Sequence, residues 1–486
     1  MLTHKLISLL QSFERREMTR FREFAFSPYF NKHEGVRALV AYLSDIFPEF
    51  EDKTCGRAVI FQKIFPGKKH DQARLALVFT YSMRLAEHFL EVEQADKGGG
   101  FQATYLLQQL RTKKQLSRYK HTLGKVEAAQ KKKGTRDSTW YYQQYLIAQE
   151  ADQYFNTISE RRTDDSLQRK QYFLDRFYLA EKLRDACEMQ VRSRILKVSY
   201  SDPLQEMALS AVEAYQDELG KEPAIAMYYW LYRMVSNPAP SYYFEALHAL
   251  NQYQTALPII EQKAIYNYLQ NYCIQKINAG EENFLEEVFQ LYKAQLERKL
   301  LLEKGLLSEW HYKNIVTTGI RLRDMDWVRE FIESYRKKLP EEARENAYRF
   351  NLASYFYATQ QYDEVLRLLT QVEYRDLRYS LGAKALLLRT YYDLDEYEAL
   401  SSLTDSFKQY LHRNQLMADV RREGYYNLFK FTRRAANLRA NIAYYSKDKR
   451  RKELLKLQRG IDKAGAVFNK SWLLEKVEIL AARVEG

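Results

Sequence analysis

Residues that break helices are scarce in this chain: 17 glycines and 9 prolines punctuate 486 residues. Between them run Leu, Ala, Glu, Lys, Arg and Gln, which lose little on entering a helix, so long helices with short connections are expected. No segment shows the apolar/polar alternation of a strand. A chain of this length outgrows one compact core, which leaves several domains or a stack of units that each pack only on their neighbours. Hydrophobic residues at 46% and aromatics at 14% supply a core and argue against disorder. The 39 tyrosines include the pairs Tyr141-Tyr142, Tyr228-Tyr229, Tyr391-Tyr392 and Tyr425-Tyr426. Such rings suit helix interfaces that are apolar inside and wet at the rim.

Four regions are expected. Residues 1–96 read as a small N-terminal helical domain, 97–220 as a long-helix segment with a basic first helix, 221–413 as helical hairpins, and 414–486 as a basic C-terminal helical cap. In the first region Leu6, Leu9, Leu10 and Phe13 form one apolar face, and Phe21, Phe24 and Phe26 continue a second helix that Pro28 stops. Asn31 and Glu34 have capping-box spacing and predict the start of a third helix carrying Val36, Leu39, Val40 and Leu43. Tyr29 and Phe30, just after the proline, are expected to be buried. Asp71 is expected to cap the helix that runs to about Leu90. Lys97-Gly98-Gly99-Gly100 marks the domain boundary. Beyond it, helices are predicted over 101–132, 138–160, 165–199 and 203–219, then shorter pairs broken at Asn237-Pro238-Ala239-Pro240, Pro258, Gly280 and Pro340.

The segment YRFNLASYFYATQQYDEVLRLL, Tyr348 to Leu369, resembles a tetratricopeptide repeat, a helical hairpin of about 34 residues. Asn351-Leu352-Ala353, Phe356-Tyr357 and Tyr362-Asp363-Glu364 carry the likeness. A shift of 35 residues places Tyr357 on Tyr392 and Tyr362 on Tyr397, and the reverse shift places Tyr362 on Trp327. The resemblance covers 314–413 and implies an all-α fold, an irregular α-α superhelix or solenoid following the N-terminal domain. Arg349 and Leu377 stand where the family has tryptophan and proline. The resemblance further implies that first-helix residues meet a ligand, here Phe350, Ser354 and Tyr357, with Ala385, Arg389 and Tyr392 in the next unit. The basic clamp that some family members use for acidic C-terminal tails is not reproduced, since Phe350 and Ser354 occupy two of its positions.

Signatures of chemistry are missing from the sequence. It contains no GxxxxGK[ST], GxGxxG or GxSxG. The eight histidines show no i, i+4 pair, and Cys55, Cys187 and Cys273 lie far apart without a CxxC, so neither a metal site nor a disulfide framework is indicated. His88 beside Glu87 and Glu91, and the pairs Glu281-Glu282, Glu286-Glu287 and Glu341-Glu342, read as solvated helix faces. No cofactor and no enzymatic activity are expected. The apolar run of MLTHKLISLLQSFERRE is too short for a signal peptide, and no stretch approaches the 18 or so apolar residues of a membrane helix. Cytoplasmic residence is the expectation.

Charge is unevenly distributed. Residues 97–136 carry 11 Lys or Arg against one acid, and residues 413–486 carry 18 against 8, so each block has net +10 in a chain of net +13. Two functions follow as expectations. The first is a non-enzymatic scaffold or adaptor binding a protein or peptide on the repeat surface. The alternative is nucleic-acid backbone binding through Lys113, Lys114, Lys120, Lys131, Lys132 and Lys133 in one block, and Arg433, Arg434, Arg439, Lys449, Arg450, Arg451 and Lys452 in the other. In the second block Leu428, Phe431, Ala435, Leu438, Ile442 and Tyr445 recur at helical spacing, so one face packs while Lys430, Arg433, Arg434 and Arg439 lie off it.

Overall fold

A computed structural model describes residues 2–97, 100–158, 165–237, 239–370, 377–413 and 419–485. They form 23 α-helices and one short two-stranded hairpin, so the all-α expectation holds. Gly98, Gly99 and Pro238, singled out above as breaks, lie outside the described residues. The chain divides into two compact units, Met1–Met189 with Ser199–Tyr228, and Gln190–Val198 with Tyr229–Gly486.

The first unit opens with α1 (Lys5–Gln11), α2 (Arg15–Phe26), α3 (Glu34–Asp45), α4 (Arg57–Ile64) and α5 (Gln72–Lys97). Their apolar faces close one core, with Leu6, Phe21, Leu39, Phe61, Phe79 and Phe89 all buried, and α5 packs against α1, α2 and α3. Asp71 does cap α5, its Oδ1 accepting the Arg74 N–H at 3.1 Å. Asn31 and Glu34 do not form the expected capping box. The helix begins at Glu34, so His33 is the N-cap and its Nδ1 accepts the Val36 N–H at 3.3 Å. Asn31 works one step earlier. Its side chain donates to the Ala25 carbonyl at 2.8 Å and accepts the His33 N–H at 2.9 Å, tying the end of α2 to the start of α3.

The chain continues with α6 (Gly100–Thr112), α7 (Leu116–Lys132), α8 (Ser138–Ile158), α9 (Ser166–Leu196), which belongs to the first unit as far as Met189, and α10 (Gln205–Ala214). The single helix expected over 101–132 is broken at Lys113–Gln115. Lys114 takes φ +54°, and the Gln115 N–H returns to the Leu110 carbonyl at 2.8 Å, closing α6 in the manner of a Schellman motif. The folded-back α7 buries Tyr119, which stacks on Tyr154 at 4.2 Å and donates to the Glu150 carbonyl.

From Tyr229 within α11 (Pro223–Ser236), the second unit runs through α12 (Pro240–Tyr253), α13 (Ile259–Asn278) and α14 (Phe284–Glu297), then the hairpin of β1 (Leu302–Glu303) and β2 (Leu306–Leu307). Next come α15 (Glu309–Arg321), α16 (Met325–Tyr335), α17 (Arg344–Ala358), α18 (Tyr362–Leu369), α19 (Leu377–Asp393) and α20 (Tyr397–Arg413). The end is α21 (Asp419–Ala440), α22 (Lys447–Lys463) and α23 (Lys470–Glu485). From α15 each helix packs on its successor. In addition α15 meets α17, α17 meets α19, α19 meets α21 and α21 meets α23, giving a stack of helical hairpins.

The turns inside three of these hairpins are the same. Arg323, Gln360 and Asp395 take φ near +60°, and the next N–H returns five residues, to the carbonyls of Gly319, Phe356 and Tyr391. These turns correct the register of the first copy. The second helices begin at Met325, Tyr362 and Tyr397, so Met325 stands in the place of Tyr362 and Trp327 lies two residues further into its helix. A core from Leu381 to Val484 joins α19–α23 and runs across the line drawn at residue 413.

Candidate anion-binding surfaces

Block 97–136 occupies α6, α7 and the turn beyond. Arg111 points inward, its Nε donating to Glu150 at 3.0 Å. Lys113, Lys114, Lys120, Lys131 and Lys132 are exposed, while Lys133 donates to Gln143 Oε1 at 3.0 Å. The only acid of the block, Glu127, is held by Arg169 at 2.8 Å. The exposed lysines of α7 therefore face solvent without an acid from their own segment.

Block 413–486 is built on α21, α22 and α23. Leu428, Phe431, Ala435 and Leu438 are buried, and Ile442 and Tyr445 pack against the same core, which is the face that the spacing predicts. The opposite flank of α21 meets α20 in a groove of about 230 Å³ lined by Thr404, Lys408, Tyr426, Lys430, Arg433, Arg434 and Asn437, with Asp405 and Phe429. Asp405 pairs with Arg433 at 2.6 Å, while Lys408, Lys430 and Arg434 have no ion pair among the described residues. Tyr426 stands at the groove 41% exposed, with Lys430 Nζ 5.8 Å from its ring. Three cations without a described ion pair, the Thr404 hydroxyl, the Asn437 amide and the half-exposed Tyr426 ring suit an anionic chain whose backbone is held and whose flat groups stack.

The remaining basic residues divide by contact. Arg439 donates to the Tyr392 carbonyl at 3.1 Å and to Asp395 at 2.7 Å, so it fastens α21 to the turn between α19 and α20. Lys449 lies 3.7 Å above the Tyr445 ring, and Arg450 donates to the Tyr445 carbonyl at 2.9 Å. Arg451 and Lys452 are exposed.

The first-helix positions expected to meet a ligand are placed differently. Phe350 is 7% exposed and packs edge-on to Tyr379, Ala385 is buried, and Tyr392 is 2% exposed against Trp472. The Ser354 hydroxyl donates to the Phe350 carbonyl at 3.0 Å. Tyr357 donates to Asp393 at 2.5 Å beneath the Arg389 guanidinium, and Asp393 also holds Lys476 at 2.8 Å. Burial pushes the Tyr357 phenol up, with Arg389 opposing and Asp393 adding to the shift. Tyr379 of α19 covers Phe350 and Trp472 of α23 covers Tyr392, so Phe350, Ala385 and Tyr392 are interior residues and not a free surface.

A second buried polar cluster has no local sequence signal. Glu222 accepts from Tyr141 at 2.6 Å, Tyr172 at 2.9 Å and Arg176 Nε at 2.7 Å, although Tyr141 lies 81 residues away. Of the acidic pairs, Glu281 holds Lys276, Glu282 meets Arg321, and Glu287 accepts from Tyr243. His88 meets Glu91 at 3.1 Å on an exposed face. Among the described residues no three His, Cys, Asp or Glu side chains gather as a metal would require, and no helix is long and apolar enough to cross a membrane. Comparison with known protein families, curated proteins and solved structures finds no match.

Proposed function

We propose that this chain is a non-enzymatic helical scaffold that holds a polyanionic partner by its backbone, with nucleic acid as that partner. The groove between α20 and α21 carries this reading, because it gathers Lys408, Lys430 and Arg434 around a half-exposed tyrosine with Asp405 the only acid in its described lining. The exposed lysines of α7 offer a second surface of the same chemistry. Binding of this kind is weakly sequence-specific and falls steeply with salt as counterions are released. The stacked hairpins from α15 onward, with their repeated turn, support the tetratricopeptide-like solenoid as the scaffold. A fluorescence titration with DNA and RNA oligonucleotides at two salt concentrations tests the reading. Micromolar binding at low salt that weakens at least tenfold at high salt is expected, and no binding at low salt refutes it.

The adaptor reading moves away from Phe350 and Tyr392 but gains an observation elsewhere. Tyr29 is 87% and Phe30 39% exposed, against the expectation of burial, because the Ser27–Asn31 turn carries them outward from the N-terminal core. Exposed tyrosines are favoured anchors of protein interfaces.

A further inference from the structure

We propose that the cleft between the α2–α3 turn and α5 docks a short acidic peptide segment of a partner protein, with an aromatic residue beside its carboxylates. The proposal rests on the adaptor reading and is independent of the basic groove. The turn is a fixed platform: the Phe30 and Asn31 N–H groups both return to the Ser27 carbonyl, and the Asn31 side chain braces both neighbouring helices. Phe30 stacks on Phe24 at 4.1 Å and meets His88 edge-on at 5.6 Å, leaving Tyr29 projecting beside it.

Beside this aromatic ledge lies an open cleft of about 480 Å³, within the range of volumes that bind small groups. Lys32, His33, Arg84 and His88 surround it with Phe30 and Tyr81, and no acidic residue is part of its described lining. Lys32 and Arg84 have no ion pair among the described residues, and both are exposed. His33 Nδ1 is engaged as the acceptor of the Val36 N–H, which puts the ring proton of the neutral form on Nε2. His88 Nδ1 is already taken by Glu91 at 3.1 Å, so Lys32, Arg84 and the His33 Nε2–H are the donors beside the aromatic surface, the complement of a carboxylate next to an aromatic or aliphatic side chain.

Charge separates this occupant from nucleic acid. Residues 1–96, which form the cleft, carry 14 Lys or Arg against 13 acids, so this segment itself lacks the basic excess that attracts a polyanion over distance. Selection here falls to short-range contacts, which a few residues of peptide satisfy.

The test is to pan a random phage-displayed peptide library on the full chain and measure selected peptides by fluorescence anisotropy. Enrichment of Asp or Glu next to an aromatic is expected, with affinity reduced at least tenfold by Arg84→Glu and about fivefold by Tyr29→Ser. Both substituted side chains are exposed, and an unchanged circular-dichroism melt confirms the fold. The same peptides should bind a Lys430→Glu/Arg434→Glu variant as they bind the parent chain. Peptides that retain full affinity on both N-terminal variants overturn the docking site while leaving the adaptor reading standing. A library that yields no binder overturns both, and oligonucleotide binding lost in Arg84→Glu without any selected peptide assigns the cleft to nucleic acid and overturns the proposal.

Discussion

Glu222 shows how a few side chains hold distant segments of the first unit together. Burial pushes its carboxyl up, but hydrogen bonds from Tyr141, Arg176 and Tyr172, with the Arg176 charge, outweigh burial and leave it below the usual glutamate range. The unfolded carboxyl titrates near about 4.3. Its stabilisation is therefore complete above that pH and is lost as pH falls through the lower folded value. Glu222→Gln leaves Arg176, with 6% of its side chain exposed, without its counter-charge, and should destabilise by roughly 2 kcal/mol. Urea denaturation should show the loss at neutral pH, and the midpoint of the variant should fall less than that of the parent chain between about pH 5 and about pH 3. The cysteines make a second residue-scale prediction. Cys55, Cys187 and Cys273 are buried and unpaired, and burial pushes the Cys273 thiol up to about 12 and Cys187 higher still. An aromatic disulfide reagent should label none of them rapidly in the native chain and all three in guanidinium.

Two substitutions at the helical hairpins should act in opposite directions. Gly319 sits where α15 crosses α16, and a Cβ there would clash with Val328 Cγ2 and lie 3.3 Å from the Phe289 ring. Gly319→Ala should destabilise by about 1–3 kcal/mol. Gln360 holds a left-handed turn, which costs a non-glycine residue about 1–2 kcal/mol. Gln360→Gly should relieve part of that and stabilise by up to about 1 kcal/mol after the added backbone entropy of the unfolded chain. Urea midpoints read both. The same hairpins show what is legible from sequence. The buried stripe of α21 could be read from spacing, because it depends only on one helix and its hydrophobic period. The turns at Lys114, Arg323 and Gln360 could not, since none carries glycine and each is closed by backbone hydrogen bonds that any side chain permits. Phe350 and Tyr392 were legible as repeat positions, whereas their burial depends on Tyr379 and Trp472, which approach from elsewhere in the chain.

Across the whole molecule, counting charges locates the two basic blocks but does not identify the cations that remain free within them. Arg439 is committed to Asp395, 44 residues away, and Arg433 to Asp405, 28 residues away, while Lys430 and Arg434 on the same helix keep their charge facing the groove. Specific side chains, and not net charge alone, should therefore set nucleic-acid affinity. Reversing Lys430 and Arg434 to Glu should weaken oligonucleotide binding at least tenfold at low salt. It should also reduce the slope of log affinity against log salt by about 1–2, the share of two phosphate contacts. Lys131→Glu with Lys132→Glu should act in the same direction through the exposed end of α7. Lys68→Glu with Lys69→Glu, between α4 and α5, changes net charge equally but touches neither block. If binding is local to the groove and to α7, that variant keeps the parental slope. If all three pairs lower the slope alike, the interaction follows the field of the whole chain, and the groove loses its assigned role.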